Sequence, residues 1–383
     1  MAANPYRETV DLERIALIRE ICSELPQLCG DFLRSIALTT SSLTRLAYAI
    51  DLRTFFNFLH AERVSFSGKA PYLLDEKDLA NLTSRDLTAY SEYLTYYIRN
   101  LQGEDDAVPV QQVMTNHELS IKRKLCSVRA FYDYLFQQQL IPSNVTQLMQ
   151  LPKIHEKPII RLSQEEVARM LHSAETGDGL TAHQQHYQKL TVNRDMALLM
   201  LFLGTGIRVS ECVGINISDL DFDESAFLVT RKGGNQVVLY FPDQVKNAML
   251  TYFDERIRIE AQPGHEDAFF LSMQKRRITQ RAVQKLVKKY ALIAAPLKSK
   301  VSPHKLRSTY ATNLYQETGD IYLVADLLGH SSVDTTRKHY ADMTDERRRM
   351  ASSHVRLPDG SAEQPEKPPE KEYKGKHEKS SVE

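Results

Sequence analysis

Between positions 151 and 163 the chain reads LPKIHEKPIIRLS, and this stretch constrains the fold more than any other. Pro152 and Pro158 each lack a backbone donor and clash with the turn before them, so no helix runs through unbroken. Ser163 with Glu166 three positions on then has the form of a capping box that opens a new helix. A chain of 383 residues also exceeds what one hydrophobic core usually serves. Two domains are expected: positions 1–151, a linker at 152–162, a second domain at 163–352, and a tail at 353–383. The tail is rich in Pro, Glu, Lys and Ser with almost nothing to bury, and is expected to be disordered.

Before the seam the pattern is helical throughout. In SSLTRLAYAIDLRTFFNFLHAE, Leu43, Leu46, Ala47, Ile50, Phe55 and Phe58 form an apolar stripe, with Ser42 as the expected N-cap. LSIKRKLCSVRAFYDYLFQQ turns Leu125, Val128, Phe131, Tyr132 and Leu135 inward and carries Lys122, Arg123, Lys124 and Arg129 elsewhere on its circumference. Those four cations fit either phosphate contacts or a solvated helix face.

Beyond the seam the pattern is mixed. FLVTRKGGNQVVLYF alternates around a Gly-Gly-Asn turn, which predicts a β-hairpin. RDMALLMLFLGTG is apolar nearly all round and predicts a core helix ended by Gly204 and Gly206. The fold class expected is mainly α and two-domain: an all-α N-terminal module, then an α-rich module with a small antiparallel β-sheet.

Bulk properties exclude several classes. No apolar run approaches the length a bilayer requires, and the N-terminal MAANPYRETVDLERIALIRE carries acids where a secretion signal carries bases, so a soluble cytoplasmic protein is expected. Cys22, Cys29, Cys126 and Cys212 lack the spacing of a zinc site or a disulfide scaffold. Lys plus Arg, 49, equals Asp plus Glu, 49, so composition alone does not point to nucleic acid. Local basic stretches carry that question instead.

Four polar islands follow in order. In GTGIRVSEC, Arg208 and Glu211 stand three apart at a helix start and share a face. Lys232 sits at the tip of the predicted hairpin. In SPHKLR, Ser302 can cap, Pro303 takes the first helical position, and His304 and Arg307 stand three apart. A cation and a titratable ring beside a positive helix end suit an arriving anion. In LLGHSSVDTTRKHYA, Gly329 ends a short apolar helix, His330 follows in the turn, and Tyr340 lies on the next helix. Each island alone also fits an ordinary surface pair or a packed tyrosine.

Taken together, Arg208, Lys232, His304, Arg307, His330 and Tyr340 resemble the tyrosine recombinases, the phage integrase and Xer-type family, in order and approximate spacing. The likeness is most specific in SPHKLRSTYATNL and LLGHSSVDTTRKHY. It covers most of the chain: the N-terminal module resembles the family's core-binding, SAM-like domain, and residues from about 162 to 355 its catalytic domain of the DNA breaking-rejoining fold. One departure stands. The family's tyrosine usually falls at the position held here by His339, whereas Tyr340 lies one residue later, about 100° round a helix. Either that helix starts later or the loop absorbs the shift.

The resemblance implies a reaction that explains these residue types. A phenol with an ordinary pKa of about 10 must act near neutral pH, which neighbouring cations favour. Arg208 and Arg307 would stabilise the charge that builds on the phosphate oxygens. Lys232 would protonate the leaving 5′ oxygen, His304 and His330 would hydrogen-bond the phosphate, and Glu211 would orient the basic groups. The product would be a 3′-phosphotyrosine, formed without metal, other cofactor or ATP, that a free 5′ hydroxyl can resolve. Chromosome-dimer resolution and mobile-element integration or excision both remain open. Alternatives are a relaxing topoisomerase of the same chemistry and a DNA-binding relative without catalysis.

The implied partner is double-stranded DNA with specific sites, held by phosphate contacts from both domains. In KRRITQRAVQKLVKKYA, Lys275, Arg276, Arg277 and Arg281 cluster before a helix whose Val283, Leu286 and Val287 pack inward. A basic amphipathic surface helix is the other reading. ADMTDERRRMASSHV resembles the terminal helix by which relatives join subunits, implying a homo- or hetero-tetramer on two sites.

Overall fold

A computed structural model describes residues 5–101, 110–155, 160–231, 234–298 and 300–329. Its first part carries α1 (Pro5–Ser23), α2 (Gln27–Ser35), α3 (Ser42–Glu62), α4 (Val64–Ser67), α5 (Glu76–Ala80), α6 (Ser84–Tyr93), the strands β1 (Tyr96–Leu101) and β2 (Val110–Thr115), and α7 (Glu118–Gln137). The second carries α8 (Gln164–Thr176), α9 (Ala182–Lys189), α10 (Val192–Thr205), α11 (Val209–Cys212), β3 (Leu220–Asp221), β4 (Ala226–Thr230), β5 (Gln236–Tyr240), α12 (Asp243–Arg256), α13 (Gln280–Ala294), α14 (Pro303–Thr318) and α15 (Ile321–Leu328). Buried apolar residues gather in two clusters, one from Ile18 to Ile141 and one from Leu162 to Leu306. By backbone proximity the chain divides into Met1–Tyr310 and Ala311–Glu383, the division falling within α14.

In the first cluster α3 and α7 pack through Phe55, Phe56, Phe131 and Tyr132, all fully buried. Tyr90 of α6 closes edge-on against Phe55, with ring centroids 4.9 Å apart. The expected inward set of α7 is buried as read from its periodicity. On α3 the reading needs correction. Ser41, not Ser42, is the N-cap, accepting from the Thr44 amide at 3.2 Å. Leu43 and Ile50 are exposed, while Ala49, Leu52, Phe56 and Leu59 join Phe55 and Phe58 inside. The large rings of the FFNFL run bury the most apolar area, and they set the rotation of the helix.

The first half is also not helical throughout. β1 and β2 pair antiparallel, from Tyr96 opposite Thr115 to Leu101 opposite Val110. The aromatic and β-branched residues of YYIRNL and VQQVMT suit a pleated ribbon. Tyr97 turns inward and stacks on Tyr93 at 4.9 Å.

In the second half the capping box forms as read: Ser163 accepts from the Glu166 amide, and Glu166 accepts from the Ser163 amide at 2.7 Å. The hairpin forms as well, β4 between β3 and β5 in one antiparallel sheet. Helix α10 is the core helix expected, with Ala197, Leu198, Leu199, Leu201 and Phe202 wholly buried. Gly206 ends it in the left-handed region at φ 61°. Gly204 does not end it. It lies inside α10, where a Cβ would come within 2.4 Å of Val245, so its bareness lets α12 approach. Among the described residues no helix is long and apolar enough to cross a membrane, and all four cysteines are unpaired.

Candidate active site

The site is built on the turn between α10 and α11. Arg208 stands at the N-cap of α11, its amide donating to Glu211 Oε2 at 3.0 Å and its Nη1 to Oε1 at 2.9 Å. The Glu211 side chain is 3% exposed and that of Arg208 34%, so a buried carboxylate holds a cation that still reaches solvent. The two side chains share a face and pair, as their spacing of three predicts.

The second arm is α14. Pro303 opens it, and the Ser302 carbonyl accepts from the amides of Lys305 and Leu306. His304 is exposed in this first turn, and Arg307, one turn on, is buried. Arg307 Nη1 donates to the Gly206 carbonyl at 2.6 Å, which ties α14 to the turn that carries Arg208. Tyr310 packs on the same glycine, where an added Cβ would lie 2.4 Å from its ring. Burial raises the Tyr310 phenol, against the opposing pull of Arg307. Arg208 and Arg307, about a hundred residues apart, therefore converge on one turn. Lys232, His330 and Tyr340 lie outside the described residues. Next to them, the Arg231 amide donates to the Asn235 carbonyl at 2.7 Å across the hairpin turn, and Gly329 ends α15 at φ 58°.

The cations expected to face DNA divide. Lys275, Arg276 and Arg281 are exposed. Arg277 is not: it is 8% exposed, and its guanidinium donates to the carbonyls of Val213 and Ile215 and to Asn216 Oδ1. Its assignment as a phosphate contact is corrected, because both of its Nη atoms are already spent on three acceptors of the protein. Lys124 is corrected on the same ground. It is buried with Nζ 3.4 Å from Asp51, a wholly buried carboxylate of α3 that also takes a bond from Ser127 and pairs with Arg123. Arg129 spends Nη2 on the Met149 carbonyl at 2.7 Å. Lys122 is half-buried and the Arg123 side chain half exposed. Two cations went unremarked: Lys285 and Lys288 are exposed on α13 and fall with Arg281 at spacings of four and three, on one face. That spacing was present in QRAVQKLVKKYA.

Residues 160–347 match the model of the phage integrase family. Over 323 residues the chain is 33% identical to the tyrosine recombinase XerC of Caldanaerobacter subterraneus subsp. tengcongensis, covering 82% of this chain and 82% of that protein. The chain belongs to the tyrosine recombinase family. This tyrosine recombinase is a site-specific recombination enzyme, and its mainly α, two-domain architecture is the DNA breaking-rejoining fold. XerH site-specific recombinase, solved in a post-cleavage complex with palindromic difH substrate, shares the fold at TM-score 0.56 and 21% identity, over 82% of this chain and 80% of that one. The Tn1549 transposon integrase, solved with circular intermediate DNA, shares it at TM-score 0.55 and 19% identity, over 84% and 98%.

Proposed function

We propose that this recombinase cuts and rejoins double-stranded DNA at specific sites through a covalent 3′-phosphotyrosine on Tyr340. The observation that carries the reading is the convergence of Arg208 and Arg307 on the Gly206 turn, one oriented by buried Glu211 and the other by a backbone carbonyl. Two preoriented guanidinium forks stabilise the charge developing on the non-bridging oxygens without reorganising. The Tyr340 oxygen attacks phosphorus, the bond to the 5′ oxygen breaks, and Lys232 supplies the proton that oxygen needs. His304 and His330 hydrogen-bond the phosphate. A 5′ hydroxyl from a second strand reverses the step, with the phosphodiester bond conserved and no metal or ATP drawn on.

Grip on the duplex falls to the exposed cations Lys275, Arg276, Arg281, Lys285 and Lys288 in the second half and, in the first, to exposed Arg123 with half-buried Lys122. The working form is a tetramer on two sites, in the cytoplasm, with domains at 1–151 and 163–352. The relatives' names and the DNA in the neighbouring structures support this reading.

A nicked DNA carrying candidate sites, which loses the short fragment needed for religation, tests it. Wild type is expected to leave a denaturation-resistant protein–DNA adduct, and Tyr340→Phe none. An adduct in Tyr340→Phe overturns the assignment.

A further inference from the structure

Helix α11 is a single turn, Val209–Cys212, and one turn is too short to hold itself. Its N-terminal end is fixed by the Gly206 turn and by the Glu211 clasp on Arg208. Its C-terminal end runs into Val213, Gly214, Ile215 and Asn216, and there one buried side chain gathers the backbone. Arg277 Nη1 lies 3.0 Å from the carbonyls of both Val213 and Ile215, and Nη2 lies 2.5 Å from Asn216 Oδ1. The Arg277 backbone is bridged to Leu271, and Tyr6 of α1 covers its guanidinium with the ring centroid 4.9 Å away. The fork is thus held in one plane and aimed at three acceptors in the four residues that follow α11. A lysine, a single compact charge, cannot span them.

We propose that Arg277 is a positioning residue for strand cleavage: by fixing Val213–Asn216 it holds α11 so that Glu211 keeps Arg208 aimed at the phosphate. The inference rests on the reading that Arg208 meets the scissile phosphate. Arg256 supplies an internal contrast. It is buried too, and donates to the carbonyls of Ala268, Ile259 and Glu266, but it makes none of these contacts to the segment after α11. Arg256 reaches the segment after α11 only at second hand, through Glu266–Phe269, whose backbone pairs with Ile215–Ile217; of the two arginines, Arg277 is the one that bonds it directly.

The test measures adduct formation under saturating enzyme on the nicked substrate, together with DNA affinity and melting temperature, for Arg277→Lys, Arg256→Lys, Glu211→Ala and Arg208→Ala. Arg277→Lys is expected to cut about 10- to 100-fold more slowly while its DNA affinity stays within about threefold. Arg256→Lys is expected to lower the melting temperature as much as Arg277→Lys does or more, and to slow cleavage less than about threefold. In the Glu211→Ala background the added loss from Arg277→Lys is expected to shrink to less than about twofold, because both act through the same pair. Should Arg277→Lys fail to fold, Asn216→Ala, which removes only the Nη2 acceptor, goes through the same comparison. Cleavage at the wild-type rate in Arg277→Lys, or an undiminished loss on top of Glu211→Ala, overturns the inference. If Arg208→Ala is inactive while Arg277→Lys is not, this inference alone falls; if Arg208→Ala cuts normally, the reading of the site falls and takes it along.

Discussion

Arg307 donates to the Gly206 carbonyl at 2.6 Å, so a side chain on α14 is locked to the backbone turn that presents Arg208. That turn needs glycine for two separate reasons, its φ of 61° and the Tyr310 ring where a Cβ would stand. Gly206→Ala should therefore lower stability by about 2 kcal/mol or more, from left-handed strain and overpacking together. Denaturant unfolding checks this, and an unchanged midpoint would show that Tyr310 yields freely. Cleavage should fall as well, since both arginines depend on this turn.

In the N-terminal half, Asp51 is wholly buried among Arg123, Lys124 and Ser127. Asp51→Ala strands the Lys124 ammonium without its partner and should cost about 3–5 kcal/mol. Adding Lys124→Met should recover part of that loss. Thermal unfolding of the single and double variants decides it; identical melting temperatures would contradict the pairing.

Acid should weaken the start of α8. Burial raises the Glu166 carboxyl, but bonds from Lys298 at 2.6 Å and the Ser163 amide outweigh it and hold the group below the usual glutamate range. A folded-state pKa below the unfolded value of about 4.3 gives stability that is complete well above that pH and is lost as pH falls through the folded value. The stability gap between wild type and Glu166→Gln should be widest at neutral pH and close on acidification. A gap that stays constant down to strong acid would sink the assignment.

If Arg281, Lys285 and Lys288 follow the phosphates, each change to alanine should weaken binding alike on all sequences and flatten the salt dependence by roughly one unit of slope. Binding measured across a salt series gives that slope. Arg277→Lys, whose guanidinium faces inward, should leave it unaltered.

The position of Tyr340 can be tested by moving the phenol. In Tyr340→Phe combined with His339→Tyr, the hydroxyl moves one residue back along the chain, to the position usual in the family. No adduct is expected from the double variant. Restored cleavage would assign the nucleophile's place to 339.

The sequence by itself determined whatever depends on near neighbours. The capping box at Ser163 and Glu166, the stop at Gly206, the apolar circumference of α10, the hairpin around Gly-Gly-Asn and the pairing of Arg208 with Glu211 all involve residues within a few positions of one another, where backbone geometry fixes who meets whom. The order of the four polar islands likewise pointed to the family. Only the tertiary structure decided which cations serve the fold and which face solvent. Lys124 and Arg277 looked like their basic neighbours, but their partners lie 73 and 64 residues away, in Asp51 and the Val213 carbonyl. Periodicity records how apolar a face is. It carries no record of a buried carboxylate or an unfilled carbonyl arriving from elsewhere in the chain, and it is the cost of leaving such a group unpaired that turns a side chain inward.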